Sequence, residues 1–323
     1  IISANSWMQF PAGHEVRNGI AYPVDWLRIV FNPTFPLRLI HMVTAAYLTT
    51  SFVVIAVGAR YVLAGTHADH ARTMLRMGVG MAAVLAPLQL FIGDQHGLDV
   101  AHYQPAKLAA IEGHWDSKEG AAPLILFGIP NEKTETTDYQ IAIPNGASVL
   151  ITHSLDGRFP GLKDFAPEDR PNALWPFFAF RLMVGIGFAM IGVALWGAFL
   201  WWRGRLTSQP FFLRIAALSW PFGFIAILAG WTVAETGRQP WVATGILRAS
   251  AAVSPVATGA VAASLILFVI VYGIIFAAGI LYMNRLINRG PAIEPAPVDG
   301  MPNRPLSAAE AAGEKLFGNG APS

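Results

Sequence analysis

The chain has 323 residues, of which 54% are hydrophobic and only 13% charged, and its apolar residues are gathered into long blocks. That excludes an ordinary water-soluble domain and predicts an all-α polytopic transmembrane helix bundle. A formal net charge of +2, with the cations at block ends, excludes nucleic acid as a partner, and zero cysteines exclude disulfides, thiolate metal sites and cysteine nucleophiles.

In chain order, the opening IISANSWMQF has no initiator Met and reads as the outer end of an apolar helix whose body is missing, so the sequence is expected to be N-terminally incomplete. Five windows of about 20 apolar residues follow as predicted spans: 37–63, 74–92, 174–202, 212–235 and 259–283. None has the short apolar core and cleavage site of a signal peptide. Arg60, Arg72 and Arg76 follow the first span, Arg203, Arg205 and Arg214 the third, and Arg285 and Arg289 the fifth. Cations in short loops mark the cytoplasmic side. The long connection 94–173 carries six Lys and Arg against twelve Asp and Glu, which suits the outer face. The predicted organisation is therefore residues 1–93, a periplasmic lead-in with the first two spans; 94–173, a periplasmic loop; 174–288, the last three spans; and 289–323, a disordered cytoplasmic tail rich in Pro and Ala. Within that tail, Ser307 and Glu310 have capping-box spacing for one short helix.

Few residues inside the spans ionise or ligate a metal. Arg38 and His41 lie one turn apart near the outer end of the first span. Arg181 and Met183 lie near the outer end of the third, followed by Gly185 and Gly187. Trp231, Glu235 and Arg238 follow i, i+4, i+7 spacing at the outer end of the fourth. The predicted orientation brings His41, Met183 and Glu235 to a similar depth. Each also has a plain reading: an interfacial hydrogen bond for His41, packing for Met183, and a mutual ion pair for Glu235 with Arg238. A porphyrin accounts for the whole set. Imidazole and thioether are axial ligands that give a closed, electron-transferring haem, a carboxylate suits a high-spin iron, and arginines neutralise propionates.

Read in order, ANSWMQFPAG, RLIHMVTAAY, KLAAIEGHW, LFGIP, FAFRLMV and GWTVAETGRQPW resemble subunit I of cytochrome bd quinol oxidases, over nearly everything from Ser3 to about Asn288. The resemblance implies that His41 and Met183 are the axial ligands of a low-spin haem b. It implies that Glu235 ligates a high-spin haem, which is haem b in one family arrangement and exchanges places with haem d in another. Arg181, Trp231, Arg238 and Trp241 match positions around the haems. Lys107 and Glu112 match the quinol-interacting pair of the loop called the Q-loop, with Gln104 just before them. The third haem is haem d or a further haem b. The short Q-loop and the Pro/Ala-rich tail resemble the cyanide-insensitive branch. The family's subunit has nine spans, so these five are expected to be its last five, and this portion alone is expected to be inactive.

The implied reaction takes electrons from ubiquinol or menaquinol at the outer face and reduces oxygen to water with protons from the cytoplasm, in a bacterial inner membrane. The implied partners are subunit II, a small accessory subunit and membrane lipid. A carboxylate that accepts a proton and an ammonium that stabilises developing negative charge suit quinol oxidation, although Lys107 and Glu112 stand about 140° apart on a helix. The plain alternative for the pair is a solvated charged loop. For the whole chain, one alternative is a cytochrome b membrane anchor that relays electrons from quinol without reducing oxygen; another is a transporter whose charges line a pathway.

Overall fold

The structure is a computed structural model that describes residues 1–119, 122–155, 157–253 and 255–291. The tail helix expected around Ser307 and Glu310 lies outside the described residues. The chain packs as two units, Ile1–Val261 and a second that begins at Ala262.

The first unit opens with helix α1 (Ile2–Gln9), a hairpin of β1 (His14–Arg17) and β2 (Ile20–Pro23), and the short helix α2 (Trp26–Val30). Helix α3 (Phe35–Ala64) starts with Pro36 in its first turn, where a missing N–H costs nothing. It ends at Gly65, whose φ of +68° lets its N–H close on Tyr61 and Val62. Helix α4 (Ala68–Tyr103) returns beside it. Gly78 allows the close approach, since a Cβ there would stand 2.7 Å from Ile55 Cγ1 and 3.0 Å from the Ser51 carbonyl oxygen.

After Gln104 come α5 (Pro105–Glu112), β3 (Lys118–Glu119), the hairpin β4 (Leu124–Asn131) and β5 (Thr136–Ile143), α6 (Gly146–Thr152) and β6 (Arg158–Phe159), which pairs with β3. Helix α7 (Leu174–Trp202) follows, then α8 (Pro210–Leu218) and α9 (Phe222–Thr236), and a small hairpin of β7 (Trp241–Ala243) and β8 (Leu247–Arg248). The core lies where α3, α4, α7 and α8 meet, with Phe52, Ile55, Leu75, Val79, Met190, Ala194 and Phe212 buried together. Gly197 sits between Val79 and Phe212, where a side chain would collide with both. Helix α10 (Thr258–Arg289) begins in the first unit and continues through the second, with a mean hydropathy of 2.7 over its most apolar window.

Four helices, α3, α4, α7 and α10, are long and apolar enough to cross a membrane, and α8 with α9 makes a fifth if the bent pair counts as one span. The helical membrane bundle expected from composition is what the chain forms. Two predicted elements differ. The second helix does not end near Ile92 but runs on to Tyr103, so the first residues assigned to the connecting loop are helical; the charges at Asp94 and Asp99 end an apolar run without ending a helix. The fourth predicted span is broken at Ser219–Pro221 and bent by 40°. Pro221 has no N–H to continue the ladder, and Ser219 folds its hydroxyl back onto the Ala216 carbonyl at 2.8 Å.

Candidate functional site

Helix α1 turns its polar residues inward. Asn5 and Gln9, at i and i+4 on one face, are buried together with Ser6. Asn5 Nδ2 donates to Glu235 Oε1 at 2.5 Å, and its Oδ1 accepts from Arg38 Nη2 at 2.5 Å. The other Glu235 oxygen accepts from Arg238 Nη2 at 2.6 Å. Arg238 lies just past the end of α9, yet it stays within reach of Glu235. Its Nε and Nη1 are buried with no hydrogen-bond partner among the described residues.

Gln9 extends this network. Its Nε2 donates to the Ala234 carbonyl at 3.0 Å, while its Oε1 accepts from Gln104 Nε2 at 2.9 Å and from the Lys107 ammonium. Lys107 also donates to Gln104 Oε1 at 2.8 Å. It is only 4% exposed, and burial, reinforced by Arg38 and Arg238 and opposed by Glu235, holds its ammonium well below the ordinary lysine value. The reading of 105–112 as a solvated charged loop is therefore corrected: Pro105 starts a helix, Gly113 closes it, and Lys107 and Glu112 are both buried.

Glu112 leaves α5 toward a second group. Arg181 Nη2 lies 3.6 Å from Glu112 Oε2, an oxygen that is buried and has no hydrogen-bond partner among the described residues. Burial pushes the Glu112 carboxyl up, with Arg181 opposing. Arg181 is itself fully engaged. Nε and Nη2 donate to the Ile125 carbonyl at 3.0 and 2.5 Å, Nη1 donates to the Ile111 and Phe177 carbonyls at 2.7 and 3.0 Å, and the guanidinium lies 3.4 Å from the centre of the Phe177 ring. Arg181 thus joins α5 and β4 to α7.

His41, on α3, has Gln89 Nε2 at 3.2 and 3.3 Å from its ring nitrogens and the His96 ring 5.4 Å away, centre to centre. A Cβ on Gly93 would stand 3.4 Å from His41 Cε1, so this glycine leaves room for the imidazole. Met183, on α7, places its Sδ 2.8 Å from where a Cβ on Gly230 would be. Trp231 is exposed and does not share the contacts of Glu235, although the i, i+4 spacing puts them on one face. Trp241 lies under the Arg248 guanidinium at 4.7 Å, and Arg248 in turn reaches Asp169 at 2.6 Å.

The tertiary structure thus gathers Gln104, Lys107, Glu235 and Arg238 into one network and sets Glu112 with Arg181 in another. It leaves His41, Met183, Trp231 and Trp241 among their own neighbours. Sequence reasoning misses Asn5 and Gln9 as site residues. The signal that could have found them is two amides four residues apart in the otherwise apolar stretch ANSWMQF.

The donors present fit a haem. An imidazole and a thioether are neutral axial ligands, Glu235 is an anionic one, and the two unpartnered buried donors of Arg238 suit a carboxylate such as a propionate. Gly97, Gly185 and Gly187 have open space beside them, as a flat ring requires.

A family model described as cytochrome bd terminal oxidase subunit I matches residues 1–291. The chain belongs to that family. It is 29% identical over 367 residues to the cytochrome bd-II ubiquinol oxidase subunit 1 of Escherichia coli (strain K12), covering 90% of this chain and 70% of that protein. To the cytochrome bd ubiquinol oxidase subunit 1 of Bacillus subtilis (strain 168) it is 30% identical over 305 residues, covering 90% and 64%. Among solved structures, the bd oxidase from Geobacillus thermodenitrificans matches with a TM-score of 0.81 at 30% identity, over 90% of this chain and 66% of that one. The chain thus spans about two thirds of the length of these relatives. Membership of the cytochrome bd family brings haem cofactors in general and a multi-pass membrane location.

Proposed function

We propose that this chain is the haem-bearing portion of a respiratory terminal oxidase that oxidises quinol at the periplasmic face and reduces oxygen to water, contributing to the proton-motive force. The observation that carries the reading is the carboxylate of Glu235, held at both oxygens by Asn5 and Arg238 and joined through Gln9 to the segment that carries Gln104 and Lys107. A half-buried carboxylate fixed this firmly at the end of an apolar helix is a functional group by default.

His41 and Met183 hold a low-spin haem b in this reading, Glu235 is the ligand of a high-spin haem, and the neighbouring haem is haem d or a third haem b. When bound, haem supplies one-electron redox chemistry and the iron that meets oxygen. The remaining chemistry belongs to the side chains. Quinol oxidation releases two protons with two electrons, and Glu112, raised toward neutrality by burial and with Oε2 not hydrogen-bonded to any described residue, takes a proton near a quinol hydroxyl. Arg181 fixes Glu112 from the side and limits its movement. Arg238 offers its two unpartnered donors to a propionate. The connection between α4 and α7 faces the periplasm and the tail faces the cytoplasm of a bacterial inner membrane. Subunit II, and a small accessory subunit, complete the assembly.

The test is a reduced-minus-oxidised spectrum with and without carbon monoxide, joined to oxygen uptake, on the complex purified from membranes that express the full gene. A carbon monoxide-sensitive high-spin species beside low-spin haem b, with quinol-dependent oxygen uptake, is the expected result. Low-spin haem b without a carbon monoxide response or oxygen uptake identifies an electron relay instead, and a protein with no haem absorbance removes the reading altogether.

A further inference from the structure

The side chain of Gln9 is fully buried and uses both of its ends. Its nitrogen holds the carbonyl of Ala234, the residue just before Glu235, and its oxygen accepts from Gln104 and from the Lys107 ammonium. Its own backbone oxygen accepts a further bond from Gln104 Nε2 at 2.9 Å. One amide therefore ties the end of α9 to the start of α5, two segments far apart in the sequence.

The same contacts fix the direction of Lys107. The side chain crosses Gly237, where a Cβ would stand 2.9 Å from Lys107 Cγ and 3.2 Å from its Cε. Gly237 lies between Glu235 and Arg238 in the chain, so the lysine stem rests on the end of α9 itself. The described hydrogen-bond acceptors of the ammonium are Gln9 and Gln104. Glu112, the other member of the expected quinol pair, points to Arg181. Glutamine suits the position because it offers an acceptor to the ammonium and a donor to a carbonyl at once; an apolar residue of the same size leaves both buried groups without that partner.

We propose that Gln9 is a positioning residue that aims Lys107 inward at the Glu235 end of α9, so that Lys107 acts by its charge on the group bound at Glu235 and does not touch quinol. This rests on the reading of Glu235 as a haem ligand. A positive charge at that end favours the reduced, less positive state of a nearby iron, and losing it or letting it move lowers the midpoint potential there.

The experiment compares Lys107→Met, Gln9→Leu and Gln9→Glu in the purified complex, by spectroelectrochemical titration of each haem and by the KM for quinol. In Lys107→Met and Gln9→Leu the high-spin haem shifts to lower potential, the low-spin haem stays in place, and the KM stays within about twofold of the parent. Gln9→Glu keeps an acceptor for Lys107 and assembles even if Gln9→Leu does not, so Lys107→Met and Gln9→Glu then carry the test. An unmoved high-spin potential in Lys107→Met, with a KM raised about tenfold, overturns the proposal and makes Lys107 a quinol contact. An equal loss of every haem signal in Gln9→Leu, with no shift in Lys107→Met, reduces Gln9 to a packing residue. Glu235→Gln distinguishes failure of this proposal from failure of the ligand reading beneath it: full retention of the high-spin haem in that variant removes the ligand reading, whatever Lys107 does.

Discussion

Asn5 and Glu235 meet across 230 positions of sequence, Nδ2 to Oε1 at 2.5 Å, and the same amide accepts from Arg38 with its oxygen. A short side chain thus sets the orientation of a carboxylate that the helix alone would leave free to turn. Asn5→Leu removes both contacts and leaves a charge at each, at a cost of about 1.5–3 kcal/mol for each charge-assisted bond. The expected outcome is reduced high-spin haem per mole of protein, with low-spin haem retained, read from the pyridine haemochrome and the carbon monoxide difference spectrum. Full high-spin content in the variant shows that Arg238 alone orients Glu235.

Gly230 and Met183 make a second pair. A Cβ on residue 230 would stand 2.8 Å from the Met183 sulfur, so Gly230→Ala forces the thioether aside at a cost of about 1–3 kcal/mol. If Met183 ligates the low-spin haem, Gly230→Ala weakens the same absorbance that Met183→Leu abolishes, while the high-spin signal persists in both. A normal low-spin spectrum in Met183→Leu ends the assignment.

The Arg181 fork reaches carbonyls on α5, β4 and α7 at once, which a lysine cannot match. Arg181→Lys loses about 1–3 kcal/mol locally. It is expected to speed proteolysis of the connection between α4 and α7 without moving the haem absorbance maxima. A shifted low-spin maximum, with unchanged proteolysis, places Arg181 against a haem instead.

Glu112 supplies a pH dependence. Burial raises its carboxyl above the ordinary value of about 4.3, so the folded protein keeps a proton that the unfolded chain has released. The stability contributed by this group is complete below that ordinary value and is lost as pH rises through the raised one. Glu112→Gln is therefore expected to flatten the decline in thermal stability between about pH 5 and pH 8, measured by unfolding of the detergent-solubilised complex. An unchanged slope shows that Arg181 cancels the effect of burial.

Composition and block length determined the membrane bundle, because a run of about 20 apolar residues has few alternatives to crossing a bilayer as a helix. Four span positions agree with the helices at one edge or both, and α7 agrees at both. Motif order determined the family, since the ligand candidates His41, Met183 and Glu235 come embedded in long specific strings. The continuation of α4 to Tyr103 was not legible, because isolated acids interrupt apolarity without breaking a backbone ladder. The break between α8 and α9 was visible only as Pro221 inside an apolar run, which fits a kinked span equally well. What only the tertiary structure decided is which polar groups share a partner. Lys107 and Glu112 sit five apart in sequence yet enter different networks, because a helix turns them about 140° apart and α1 and α7 each take one. Asn5, Gln9, Lys107 and Glu235 come from three distant segments. Their meeting depends on how the ends of α1, α5 and α9 pack, and no local pattern in the sequence encodes that.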